Sequence, residues 1–169
     1  MCVKFLIGVR RMICLGVTQE GHKMFKRILI PTDGSELSEK AVKVGIDFAK
    51  SIGAKVIGFR AIDLYPWAYG DYVPLDVYSP EQRAEQEIAS SNQILKSVTN
   101  YAQSVGVTCE VFHAKSVVPF EGIIKAAEDK GCDLIFMASH GRRGLAGLLL
   151  GSETAKVLTH CKVPVLVYR

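Results

Sequence analysis

Arg27 to Ile62 reads RILIPTDGSELSEKAVKVGIDFAKSIGAKVIGFRAI, and this stretch contains a strand, a helix and a second strand. Arg27 to Ile30 is a short β-rich run, and Pro31-Thr32-Asp33-Gly34 after it is turn chemistry. From Ser35 to Ile52 the residues Ala41, Val44, Phe48, Ala49 and Ile52 recur at three- and four-residue steps. That spacing predicts one amphipathic helix, with Gly53 as its stop. Lys55 to Ile62 then returns to strand character, apolar on both faces as a buried parallel strand is.

The same rhythm continues downstream. Further strands are expected at Thr108 to His113, Asp133 to Ala138 and Pro164 to Tyr168. Ser79 with Pro80 at the first helical position opens a long helix whose inner face is Ile88, Ser91, Leu95, Val98, Ala102 and Val105, ended by Gly106. Pro119 starts a third helix with Phe120, Ile123, Ile124 and Ala127 inward and Gly131 closing it. The last helix runs from Ser152 to about Thr159. Five strands alternating with helices most simply give an α/β fold. It is an open, doubly wound, five-stranded parallel sheet with helices on both faces, a nucleotide-binding architecture of the flavodoxin or Rossmann type. Ligands of such sheets sit beyond the carboxyl ends of the strands where the winding reverses, which places the candidate site in the loops Pro31 to Ser35 and Ser139 to Gly151.

Composition narrows the class. The chain has 169 residues, 49% hydrophobic and 22% charged, which suits one domain with a substantial core and excludes disordered, collagen-like and coiled-coil chains. No apolar run reaches the roughly 18 to 20 residues that cross a bilayer as a helix. Charge is uneven: residues 1–23 carry net +3, residues 24–138 net −3 and residues 139–169 net +4. A basic final segment on an acidic body fits a local anionic ligand, or simply a few solvated cations, better than a nucleic-acid track. Five scattered cysteines, Cys2, Cys14, Cys109, Cys132 and Cys161, form no Cys-x-x-Cys pair and read as free thiols of a reducing, cytoplasmic compartment. Cys109 and Cys132 fall in apolar runs and are expected to be buried.

Residues 1–23 superficially look like a signal sequence, but Arg10 and Arg11 interrupt the apolar run and no small-residue cleavage site follows. They are read as an N-terminal extension, or an amphipathic surface segment, ahead of a domain at residues 24–169. The segment Asp63 to Ser79 holds Tyr65, Trp67, Tyr69, Tyr72 and Tyr78, and reads as a lid or contact surface, or as a packed cover over a sheet edge.

The densest chemical signal is Ala138-Ser139-His140-Gly141, nine residues, then Gly151-Ser152 at the start of the final helix. A strand ends, a glycine-rich loop with Arg142 and Arg143 turns, and the N–H groups of Gly151, Ser152 and Glu153 open a helix whose positive dipole end suits a phosphate. A glycine-rich turn before a capped helix explains Gly141 and Ser152 equally well. With these residues the chain resembles the universal stress protein family over Met24 to Arg169. The family's nucleotide-binding members carry Gly-x-x-Gly, nine residues, then Gly and Ser or Thr; Gly141, Gly151 and Ser152 match, while Ala138 stands at the first glycine. Ile28 to Ser35, Asp133 to Met137 and Val163 to Val167 resemble the family's other segments.

The resemblance implies that Asp33 meets ribose or adenine, where its other role is to cap the turn. It implies that Ala61 flanks the base, that Met137 and Ala138 lie against the sugar, and that Gly141, Gly151 and Ser152 cradle phosphates. Pro31, Thr32, His140, Arg142, Arg143, Glu153 and Thr154 complete the candidate set. The implied ligand is ATP, or AMP or ADP, with Mg as an optional companion, in a stress-response or signalling protein that acts through conformation or a protein partner. Partners are nucleotide, a second copy through the last strand, and an unidentified protein, with neither nucleic acid nor membrane. The alternatives are a dimeric partner protein without nucleotide and a weak ATP hydrolase. No Cys or Ser nucleophile with a partnering acid and no P-loop lysine stands at a motif spacing, which leaves Asp33 and His140 as the one acid–base pair.

Overall fold

The computed structural model describes residues 24–63, 79–116, 118–141 and 150–169. The elements are β1 (Arg27–Pro31), α1 (Glu36–Ile52), β2 (Lys55–Asp63), α2 (Pro80–Val105), β3 (Cys109–Ser116), α3 (Pro119–Asp129), β4 (Leu134–Ala138), α4 (Ser152–His160) and β5 (Val165–Tyr168). All pairings are parallel and the strand order is β3-β2-β1-β4-β5. The chain therefore winds outward from β1 to β3, returns to the other side of β1 and winds outward again to β5. The reversal lies between β1 and β4, as the doubly wound reading requires.

Strand pleating divides the core in two. Ile28, Ile30, Val56, Leu134 and Phe136 point to the side covered by α1 and α2, where they meet Ala41, Ile46, Val98 and Ala102. Leu29, Ile57, Phe59, Ile135 and Met137 point to the opposite side and meet Ile123, Ala127 and Val157 of α3 and α4. Helix α1 starts because Ser35 accepts the Ser38 N–H at 3.3 Å, and it ends because Gly53 takes up φ 66°. It seats close to the sheet at Gly45, where a Cβ would stand 2.9 Å from both Ile30 and Phe136.

Two expectations change. Val44 is 39% exposed, and the inward line of α1 is Ser38, Ala41, Val42, Gly45, Ile46 and Ala49. At 100° per residue Val44 lies about 200° round the helix from Val42, so it cannot share that stripe. Cys109 is half-buried rather than enclosed because β3 is an edge strand, whereas Cys132 is 6% exposed. Burial pushes the Cys132 thiol up to about 11. Alkylation of native protein at pH 8, read by peptide mass analysis, is therefore expected to spare Cys132 until the chain is unfolded. The sign for stability follows: the unfolded thiol ionises near pH 9 and the folded one only near 11, so this thiol's contribution is complete below about pH 9 and is lost as pH rises from there to about 11.

Candidate functional site

The carboxyl end of β1 is held by short-range hydrogen bonds that its sequence makes possible. The Thr32 N–H donates to the Phe59 carbonyl at 2.9 Å and keeps the chain beside β2 for one residue beyond the strand. The Thr32 hydroxyl accepts from the Ser38 hydroxyl at 2.8 Å and from the Gly34 N–H at 3.2 Å. Gly34 has φ 76°, a conformation that glycine adopts without steric cost. Asp33 Oδ1 accepts from the Ser35 N–H at 3.0 Å and the Ser35 hydroxyl at 2.7 Å, so this oxygen caps the turn. Its Oδ2 faces Gly141: a Cβ added to Gly141 would collide with that oxygen. One carboxylate thus serves the turn with one oxygen and reaches across the β1–β4 crevice with the other.

At the end of β4, Met137, Ala138 and Ser139 are all buried. The Ser139 N–H donates to the Tyr168 carbonyl at 2.7 Å, and the Ser139 carbonyl accepts the Gly151 N–H at 2.8 Å. This second bond closes the base of the loop between β4 and α4. A Cβ on Gly151 would lie 3.1 Å from His140 Cα and 3.2 Å from His140 Cβ, so the two ends of the loop lie in close contact and a side chain here would push His140 back by a few tenths of an ångström. The Gly151 N–H is therefore not one of the free donors expected from the sequence. Gly151 is the N-cap, with φ −72° and ψ 158°, and α4 has no side-chain cap. Ser152 is accordingly the first helical residue, and since the Ala155 N–H is the first to reach the Gly151 carbonyl, the N–H groups of Ser152, Glu153 and Thr154 are the ones without an intrahelical acceptor.

The remaining expected residues have mixed placements. Thr154 is 3% exposed and donates its hydroxyl to the Ala138 carbonyl at 3.0 Å, which ties α4 to β4 and leaves that hydroxyl committed within the fold. Glu153 Oε2 accepts the Phe120 N–H at 2.9 Å, capping α3, whose own N-cap residue Val118 makes no side-chain bond, and Oε1 pairs with Lys156 at 2.9 Å. The Met137 side chain packs into the core on the α3–α4 side and that of Ala138 into the core on the α1–α2 side. Ala61 is half-buried near the end of β2, Pro31 is buried at the end of β1, and half-buried His140 has Nδ1 3.2 Å from the Ser139 hydroxyl. Arg142 and Arg143 lie outside the described residues, as do residues 1–23 and the aromatic segment 64–78.

Sequence reading missed Arg60. Its side chain is 4% exposed, with Nη1 donating to the Asp33 carbonyl at 3.0 Å and Nη2 to Glu87 Oε1 of α2 at 2.7 Å. The available signal was a charge inside the apolar run Val56 to Ile62. Among the described residues no group of three or more His, Cys, Asp or Glu side chains could hold a metal ion. A surface groove lined by Asn92, Leu95, Thr99, Phe112 and His113 lies between α2 and β3, at the edge of the sheet away from the β1–β4 crevice. No helix among the described residues is long and apolar enough to cross a membrane.

Comparisons with known proteins agree with this fold. The sequence profile of the Universal stress protein family matches residues 24–169. The chain is 32% identical to Universal stress protein MJ0531 of Methanocaldococcus jannaschii over 168 residues, 99% of this chain and 95% of that one. The solved structure of MJ0577, a universal stress protein of the same organism, superimposes with a TM-score of 0.73 at 30% identity, covering 85% of this chain and 95% of that one. A universal stress protein solved in complex with cAMP shares the fold, with a TM-score of 0.64, 22% identity, and 86% and 97% of the two chains covered.

Proposed function

The chain belongs to the universal stress protein family, and from that premise we propose that it binds an adenine nucleotide, ATP or its di- or monophosphate, in the crevice between β1 and β4. The observation that carries the reading is the meeting of Asp33 Oδ2 with Gly141 at the topological switch point, beside the open N-terminus of α4. A carboxylate oxygen there accepts from ribose hydroxyls, and the Ser152 and Glu153 N–H groups with the helix dipole receive phosphate oxygens. Gly141 supplies the close approach between them, and half-buried Ala61 provides apolar surface for the base. Arg142 and Arg143 would add screened positive charge to the phosphate side, and Mg would accompany a triphosphate on its own oxygens. The cAMP complex of a structural neighbour supports an adenine nucleotide as the ligand class. We further propose that the protein works in the cytoplasm as a regulator whose nucleotide state sets its conformation or its choice of protein partner.

Calorimetric titration with ATP, ADP, AMP and cAMP tests this reading, together with nucleotide analysis of the purified protein after denaturation. Saturable one-site binding of at least one of them is expected, and no heat with any of the four sinks it. Ala138 is 8% exposed and belongs to the core shared with α1, so its methyl points away from the crevice. Ala138→Gly is therefore expected to lower stability by about 1 kcal/mol in denaturant unfolding, with ATP affinity unchanged within about twofold. β5 is an edge of the sheet, and its open N–H and C=O groups invite pairing with a second copy. Sedimentation at tens of micromolar is expected to give a dimer, and a monomer there removes that part of the proposal.

A further inference from the structure

We infer that Arg60 is a positioning residue for the ribose end of this site, acting through the peptide that follows Asp33. The inference rests on the adenine-nucleotide reading above and extends it to a residue outside the β1 and β4 loops. The peptide between Asp33 and Gly34 is held at both ends: its carbonyl accepts from Arg60 Nη1 at 3.0 Å, and its N–H donates to Thr32 Oγ1 at 3.2 Å. Gly34, with φ 76°, could otherwise let this peptide rotate, and rotation would displace the following Ser35 N–H and hydroxyl, which hold the Asp33 carboxylate facing Gly141. Arg60 is itself fixed from the far side, because Nη2 is bonded to Glu87 on α2 at 2.7 Å. A rigid chain of contacts therefore runs from α2 through Glu87 and Arg60 to the carboxylate that reads the ligand.

Stability alone does not account for this arginine. Its side chain is 4% exposed in a strand that is otherwise apolar at its core positions, and Nε has no hydrogen-bond partner among the described residues. Ser91 Oγ on the same helix, one turn beyond Glu87, is likewise buried without one. Burying a charge with part of its hydrogen-bonding capacity unmet is unfavourable, and an apolar side chain of similar volume would fill the position at lower cost. What an apolar residue cannot do is donate to the Asp33 carbonyl.

The experiment compares ATP with 2′,3′-dideoxy-ATP by calorimetry on the parent chain, Arg60→Met, Arg60→Lys and Glu87→Gln. The parent is expected to prefer ATP by about tenfold, the scale of one or two hydrogen bonds to a charged group. In Arg60→Met the preference is expected to collapse to within about twofold, through loss of ATP affinity with little change for the dideoxy nucleotide. Arg60→Lys and Glu87→Gln should fall between these limits, and they carry the test should Arg60→Met not fold. Equal losses for both nucleotides, with the preference retained, would show a merely structural arginine and overturn the inference. A parent that binds both nucleotides equally also overturns it, while leaving the nucleotide site standing. A parent that binds neither removes the nucleotide reading and this inference together.

Discussion

Gly151→Val is expected to weaken ATP binding by at least about 100-fold, near 2.7 kcal/mol, while the sheet remains folded. The backbone is not the reason, since φ −72° and ψ 158° are open to any residue. The obstacle is space: the first carbon of the new side chain meets His140 Cα at 3.1 Å and the Ser139 carbonyl oxygen at 3.5 Å, and valine adds two methyls beyond it. Backbone cannot swing aside as a side-chain tip can, so the Gly151 to Ser139 hydrogen bond opens and the N-terminus of α4 moves away from Gly141. Buried Val157 and the Thr154 bond to Ala138 keep the rest of α4 on the sheet. Thermal unfolding is therefore expected to show a loss of only about 1 to 3 kcal/mol, the usual scale of overpacking. ATP affinity within a few-fold of the parent would show that the helix N-terminus takes no part in binding.

Gly141→Ala acts on the other wall of the crevice and is expected to cost about 10- to 100-fold in ATP affinity, with stability changed by less than about 1 kcal/mol. Gly141 is exposed, so the added methyl removes little from the fold. Its collision is with Asp33 Oδ2, and that carboxylate cannot turn freely because Oδ1 is engaged by the Ser35 N–H and hydroxyl. Either those bonds break or the β4 loop retreats, and both separate the ribose acceptor from the phosphate donors. Calorimetry beside a thermal melt distinguishes this local effect from unfolding. Unchanged affinity would place the ligand elsewhere.

The two glycines were legible in the sequence as a spacing, but their reasons were not. Residue types that punctuate local structure gave accurate boundaries: Gly53 and Gly106 take the left-handed conformation at the ends of α1 and α2, and Ser79 with Pro80 opens α2. The apolar pattern did less well at the ends of strands. β3 continues to Ser116, three residues beyond the apolar run, because Lys115 and Ser116 pair with Ile62 and Asp63 whatever their polarity. β1 includes Pro31, which lacks a donor yet stays in register with Phe59.

Contacts between distant segments were the least visible. The Gly151 N–H looked free because Ser139, which takes it, lies 12 residues earlier and approaches only when the loop closes. Arg60 stood out as a charge in an apolar strand, but Asp33 and Glu87, each 27 residues away, become its partners only through the packing of β1 and α2 against β2. Glu153 was read for its backbone N–H, and its side chain proves to cap α3, 33 residues away.

The most direct measurement is an ATP titration of isotope-labelled protein followed by backbone amide NMR. The largest shifts are expected at Asp33, Gly34, Gly141, Ser152 and Glu153, with Asn92 to Asn100 of α2 and Cys109 to Ser116 of β3 nearly unmoved. Largest shifts along the groove between α2 and β3, or none at saturating ATP, would contradict a nucleotide site at the carboxyl ends of β1 and β4.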